Sequence, residues 1–265
     1  MFAAAWSALM VFVLLCASAG LGRFVRPRLP EDHRRPETVA AMQLMIGMLV
    51  TFIAIVLGLL TASVKAAHDS AGRDMQEYAL ELTQLDQCMR NYGPGTEAAR
   101  LMLANYTATL IASSWTSEPP PAAPGPVDTA GIPRIGPSPT LANMLNEVYL
   151  ALRRLEPASA LQTGVRDDCV SLWSKVMATR RTSIEDDRSP ISRPFFSVLV
   201  FWLVATFVSI GLVAPRNALS LAGTVLVAVA LSLAIFVILG LTPYFVAFPS
   251  SEMREALAAM TAPAR

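Results

Sequence analysis

Residues 193–217, RPFFSVLVFWLVATFVSIGLVAPRN, constrain the fold more than any other part of the chain. No charge interrupts the apolar run from Pro194 to Pro215, and after a tight Pro-Arg-Asn turn a second apolar run continues to Leu241. A helix needs about 20 apolar residues to cross the ~30 Å hydrocarbon core of a bilayer. Two such runs joined by so short a turn predict a transmembrane helical hairpin.

Composition extends that reading to the whole chain. Of 265 residues 54% are hydrophobic and 15% charged, against about 25% charged in ordinary soluble domains. Four segments are long and apolar enough to span: residues 3–21, 44–64, 194–213 and 219–241. The first has a signal-peptide alternative, with Ala17-Ser18-Ala19 as a small-residue cleavage site. It lacks a basic n-region, however, and Arg23, Arg26 and Arg28 follow directly, so it reads as an anchor. The predicted fold is an all-α membrane protein with four transmembrane helices in two hairpins and a helical extramembrane domain between the second and third spans. Residues 1–64 form the first hairpin, 65–193 the extramembrane domain, 194–241 the second hairpin and 242–265 a tail with a short helix.

No Asp, Glu, Lys or Arg lies inside any span, which counts against the proton relays and ion-coupled sites of active transporters. Gly47, Ala54 and Gly58 in the second span, and Ser209 and Gly211 in the third, are small enough for close helix approach. Between the second and third spans, no proline interrupts the chain before Pro94, so one helix is expected from Val39 to Asn91, half in lipid and half in water. Met75, Tyr78, Leu82, Leu85 and Met89 form its apolar stripe, suited either to neighbouring helices of the subunit or to an oligomer axis. Tyr92-Gly93-Pro94-Gly95 ends it. A helix over 96–115 follows, then the proline-rich segment 117–139, read as an extended spacer with little to bury. Thr140 is the expected cap of a helix carrying Leu141, Leu145, Val148 and Leu152 on one face, and a last helix runs over 158–184.

Candidate chemistry is sparse. A net charge of +1 gives no basic excess to neutralise nucleic-acid phosphates. Two distant histidines and three cysteines without a CxxC make no zinc site. Glu185-Asp186-Asp187 reads as a solvated charge run, because calcium takes six to eight oxygens in a defined loop. No phosphate loop, triad or paired-acid arrangement is present, so no enzyme, cofactor or resident metal is expected. Cys88 and Cys169 form one disulfide if the domain lies outside the cytoplasm, and remain two thiols if it lies inside.

Three blocks carry a resemblance to a known family. They are LPEDH at 29–33 with VLGLLTASVKAAHD at 56–69; LDQCMRNYGP at 85–94 with Arg100; and VLVFWL at 198–203 with GLVAPRNA at 211–218, continuing to SSEMREAL at 250–257. With these the chain resembles the bestrophin-like bacterial membrane protein family, domain of unknown function 4239. Pro30, His33, Lys65, Asp69, Asp86, Pro215, Arg216 and Asn217 match the family's motif positions. The acidic stretch that often ends the family's last span is replaced here by Gly240-Leu241-Thr242, so no role of those carboxylates carries over. The related bestrophins are pentameric anion channels with four membrane helices per subunit and a long second helix on the pore.

The resemblance implies a homo-oligomeric channel, a pentamer by analogy, in the bacterial inner membrane. Met48, Thr51, Phe52, Ile55 and Leu59 of the second helix would then form an apolar constriction. The rival reading is a non-conducting interaction or sensor protein acting through its helical domain. Orientation is contested within the sequence. Arg23, Arg26, Arg28, Arg34, Arg35 and Arg216 favour short loops in the cytoplasm and the large domain outside, while Lys65, Arg73, Arg180, Arg181, Arg188 and Arg193 flanking that domain favour the reverse. The denser first loop tips the expectation outside, although the corresponding bestrophin domain is cytosolic.

Overall fold

The computed structural model describes residues 2–28, 30, 35–133, 136–185, 193–215, 217–241 and 248–262. Eight α-helices occur among them. They are α1 (Phe2–Val25), α2 (Pro36–Tyr92), α3 (Glu97–Ser114), α4 (Pro139–Arg153), α5 (Ala160–Glu185), α6 (Arg193–Val213), α7 (Ala218–Gly240) and α8 (Ser251–Thr261). Four of these, α1, α2, α6 and α7, are long and apolar enough to cross a membrane. The chain divides into two compact units, Met1–His68 with Ser189–Thr242, and Asp69–Arg188 with Pro243–Arg265.

In the first unit each helix contributes a narrow buried line: Val11, Leu15 and Ala19 from α1; Ile53, Leu57, Leu60 and Val64 from α2; Leu199, Leu203 and Phe207 from α6; Ala228, Ile235 and Ile238 from α7. Steps of three and four keep these residues on one helical face. The tightest packing is of α1 against α6 and α7, across the two expected hairpins rather than within them. Gly22 and Gly211 make this crossing. A Cβ on Gly22 would overlap the Val208 carbonyl oxygen, and one on Gly211 the Ala19 carbonyl oxygen. Arg26 fastens the end of α1 by donating to the Ala214 carbonyl, and Arg23 donates to Ser220 Oγ at 3.3 Å.

The second unit has a denser core. Met75, Tyr78, Leu82, Leu85 and Met89 of α2 are all buried, together with residues of α3, α4, α5 and α8. Of the two partners suited to that stripe, the subunit's own helices are the ones it meets. Leu141, Leu145, Val148 and Leu152 are buried on α4 as their spacing predicts. Trp173 of α5 donates its indole N–H to the Leu145 carbonyl at 2.8 Å and packs on Tyr149.

One local expectation needs correction, and two segments do more than their sequence suggests. The cap of α4 is Ser138, not Thr140; its side chain accepts from the Leu141 N–H, with Pro139 opening the helix. Proline suits that position because the amide it lacks would have no partner there. The proline-rich segment is more than a spacer, because Ala123, Val127 and Ile132 pack on the core. The C-terminal helix is an integral part of the second unit, burying Met253, Ala256, Leu257 and Met260.

The Gly22–Gly211 crossing is open to a direct test. Gly211→Val should lower stability in detergent by about 2 kcal/mol through overpacking. Gly20→Ala, where nothing lies within 4 Å, should not. Equal melting temperatures for Gly211→Val and wild type would show that the two backbones do not meet there.

Candidate functional site

Two sets of residues concentrate the features flagged by the sequence, one in each unit. In the first unit the relevant element is the apolar half of α2. In its most apolar stretch 11% of residues are buried, against 28%, 33% and 22% in α1, α6 and α7, so among the described residues α2 is the spanning helix least covered by its own chain. Ile53, Leu57, Leu60 and Val64 turn inward, while Met48, Phe52, Ile55 and Leu59 are 66%, 55%, 58% and 67% exposed. Thr51 is exposed too, its hydroxyl donating to the Gly47 carbonyl at 2.9 Å. At 3.6 residues per turn these five residues share the face opposite the buried line. That face is continuous and holds no ionisable group.

In the second unit the motif LDQCMRNYGP proves to be a joint between three helices. Asp86 of α2, its side chain only 4% exposed, accepts from Arg90 Nε at 2.7 Å and from Arg100 Nε of α3 at 2.8 Å. Held this way, the two guanidiniums reach the C-terminal carbonyls of α8. Arg90 donates to Ala259 at 2.8 Å and Met260 at 2.9 Å, and Arg100 to Met260 at 3.3 Å. The last carbonyls of a helix lack intrahelical donors and carry partial negative charge, so paired cations suit them. Gly93 and Gly95, at φ +93° and +107°, make the reversal after α2, and Thr96 closes it by donating to the Met89 carbonyl at 2.6 Å. Cys88 and Cys169 are disulfide-bonded, tying α2 to α5 with Cα atoms 5.6 Å apart.

The other end of α8 is fastened by Ser250 and Arg254 of the SSEMREAL block together with residues outside every motif. Trp115 donates to the Phe248 carbonyl at 2.7 Å, and Arg254 donates to Glu118 at 3.2 Å and to the Pro119 carbonyl at 2.7 Å. The Ser250 hydroxyl, with Arg254 beside it, holds the Glu118 carboxyl below the usual carboxylate range. In the core, Tyr106 bonds Tyr78 and Arg180, and burial raises its phenol.

The remaining motif residues are scattered. Lys65 and Asp69 are exposed on α2, and Pro30 and Pro215 are exposed in connecting segments. Asn217 caps α7 by accepting from the Ser220 N–H at 2.8 Å. His33, Arg216, Asp186 and Asp187 lie outside the described residues. No group of three or more His, Cys, Asp or Glu able to hold a metal occurs among the described residues.

Removing Asp86 leaves two guanidiniums facing one another without their shared acceptor. Because both are partly solvated, Asp86→Ala should lower stability by about 2 kcal/mol rather than the larger loss of a fully buried pair. Hydrogen exchange across residues 251–261 should rise with it. Unchanged exchange there would mean that the joint does not hold α8.

Comparisons with known proteins agree with this architecture. A family model described as a Bestrophin-like domain matches residues 11–245. Among solved structures, the chain is similar to a crystal structure of a membrane protein, at a TM-score of 0.62 and 15% identity, covering 96% of this chain and 98% of that one. It is also similar to a mutant of a bacterial bestrophin homologue from Klebsiella pneumoniae, at a TM-score of 0.59 and 14% identity, with the same coverage. Identities this low show the fold alone. A search of curated proteins gives no match. The family model spans most of the chain, and the protein is a multi-pass membrane protein belonging to the bestrophin-like family.

Proposed function

We propose that the protein is an oligomeric channel or pore of bestrophin type, conducting anions, with Met48, Thr51, Phe52, Ile55 and Leu59 lining an apolar constriction. The observation that carries this reading is the exposure of α2, the spanning helix least covered by its own chain. Copies of α2 set around an axis would place its free face on that axis. The two hairpins are then connections along the chain, α1 to α2 and α6 to α7, whose spans pack across them through α1 against α6 and α7. Family membership supports conduction, since bestrophins are pentameric anion channels. The absence of carboxylates from the free face removes the usual basis for selecting cations, and an apolar constriction gates by dewetting. Purified protein in planar bilayers should carry an anion current, and Phe52→Ala should enlarge it several-fold by widening the constriction. Silent bilayers containing verified, inserted oligomers would refute the proposal.

We infer that the helical unit lies outside the cytoplasm of a bacterial inner-membrane protein. The arginines of the first loop support this by the positive-inside rule, and the Cys88–Cys169 disulfide supports it because such bonds persist in oxidising compartments. Ser117 is exposed in that unit. In a Cys16→Ser background, Ser117→Cys should react with an impermeant thiol reagent in intact spheroplasts. Labelling only after lysis would put the unit in the cytoplasm.

A further inference from the structure

The packing of α2 against α5 contains a carboxyl group that neither the joint at Asp86 nor the channel reading uses. Glu81 is 9% exposed, on the same stretch of α2 as the buried core residues Tyr78, Leu82 and Leu85. Thr179 of α5 hydrogen-bonds to its side chain, yet Oε2 is fully enclosed and has no hydrogen-bond partner. An enclosed carboxylate with one donor is poorly solvated, whereas the neutral acid is far easier to bury.

The charged groups around it are few. Glu77, one turn earlier on α2, opposes ionisation of Glu81, and Lys175, one turn before Thr179 on α5, favours it. Arg180, also on α5, is engaged with the Tyr106 hydroxyl and the Ser138 carbonyl. Burial outweighs the Thr179 and Lys175 contributions and, with Glu77, raises the Glu81 carboxyl above the ordinary carboxylate range. A groove of about 500 Å³ opens farther along the same two helices, lined by Gln84, Gln87, Asn91, Asp168, Ser171 and Lys175, so that Lys175 stands between it and the carboxyl.

We propose that Glu81 is a proton-binding site that sets how tightly α5 seats on α2. In the neutral state Oε1 carries the proton and donates to Thr179, whose hydroxyl can accept as well as donate, and Oε2 is left as an uncharged carbonyl oxygen. The seam is then closed. Ionisation releases the proton to solvent and leaves a charge that draws water inward, loosening α5 about the Cys88–Cys169 bond that still holds it. Because the folded state raises this acid, the contribution to stability is complete below the ordinary glutamate value, about 4.3, and is lost as pH rises through the folded value. Tight seating therefore belongs to acidic conditions, the reverse of the usual carboxylate pattern. The proposal does not depend on conduction.

Hydrogen exchange of the full-length protein in nanodiscs, disulfide intact and corrected for intrinsic rates, tests it. Protection of α5 amides should fall several-fold as the pH rises from the ordinary glutamate value, about 4.3, through the raised Glu81 carboxyl. Glu81→Gln, which is neutral throughout, should flatten that profile, with α4 as an internal reference. Lys175→Met removes the charge that favours ionisation and should move the loss of protection to higher pH. A flat wild-type profile, a wild-type slope retained in Glu81→Gln, or a shift to lower pH in Lys175→Met would each overturn the proposal.

Discussion

The structure depends on the unbroken backbone hydrogen bonding of α2. In hydrocarbon an unpaired N–H or C=O costs several kcal/mol, so a spanning segment must satisfy its backbone within itself. From Pro36 to Tyr92 no proline interrupts the helix, and its 57 residues extend about 85 Å at 1.5 Å each. That is more than twice the thickness of a bilayer core. One element therefore contributes to both compact units, offering Ile53, Leu57, Leu60 and Val64 to one core and Met75 through Met89 to the other. The helix ends only where Gly93 and Gly95 supply left-handed backbone that other residues adopt with difficulty.

Polar side chains divide sharply between the two units. In the spanning helices the hydroxyls mostly satisfy their own helix, as Thr51 and Thr61 do four residues back. Charge is concentrated in the helical unit, where it fastens elements distant in sequence. Asp86 is the organising case. A carboxylate that accepts from two arginines fixes both, and the arginines in turn close the end of α8, some 170 residues along the chain. Mixed pairing of this kind gives geometry as well as energy, because the planar guanidinium has donors left over after its ion pair.

What the sequence revealed follows from which interactions are periodic. The apolar stripes of α2 and α4 were legible because spacing alone fixes a helical face, and the turn at Gly93 because its residue types are restrictive. The cap at Ser138 was missed in favour of Thr140, since both residue types cap helices and only the geometry of Pro139 distinguishes them. Ala123, Val127 and Ile132 carry no period, so their burial under the proline-rich segment left no pattern to read. Asp86 stood out as a motif residue, but its partners Arg100 and the α8 carbonyls are brought to it only by the folded chain. Glu81 gave no signal at all, because one charged residue in an amphipathic helix normally lies on the solvated face.

The contrast between the units bears on how the membrane part reaches stability. Its buried line is about one residue per turn on each helix, so many apolar side chains of α1, α2, α6 and α7 among the described residues remain exposed. Lipid covers such surface without preference, since tails are as apolar as the side chains they meet. Specific fit must then come from close backbone approach. The Gly22–Gly211 crossing provides it for α1 with α6, whereas Gly47 and Gly58 of α2 have open space where a Cβ would stand. In the proposed oligomer those glycines would let a neighbouring copy approach the α2 backbone as closely as Gly22 and Gly211 let α1 and α6 approach each other.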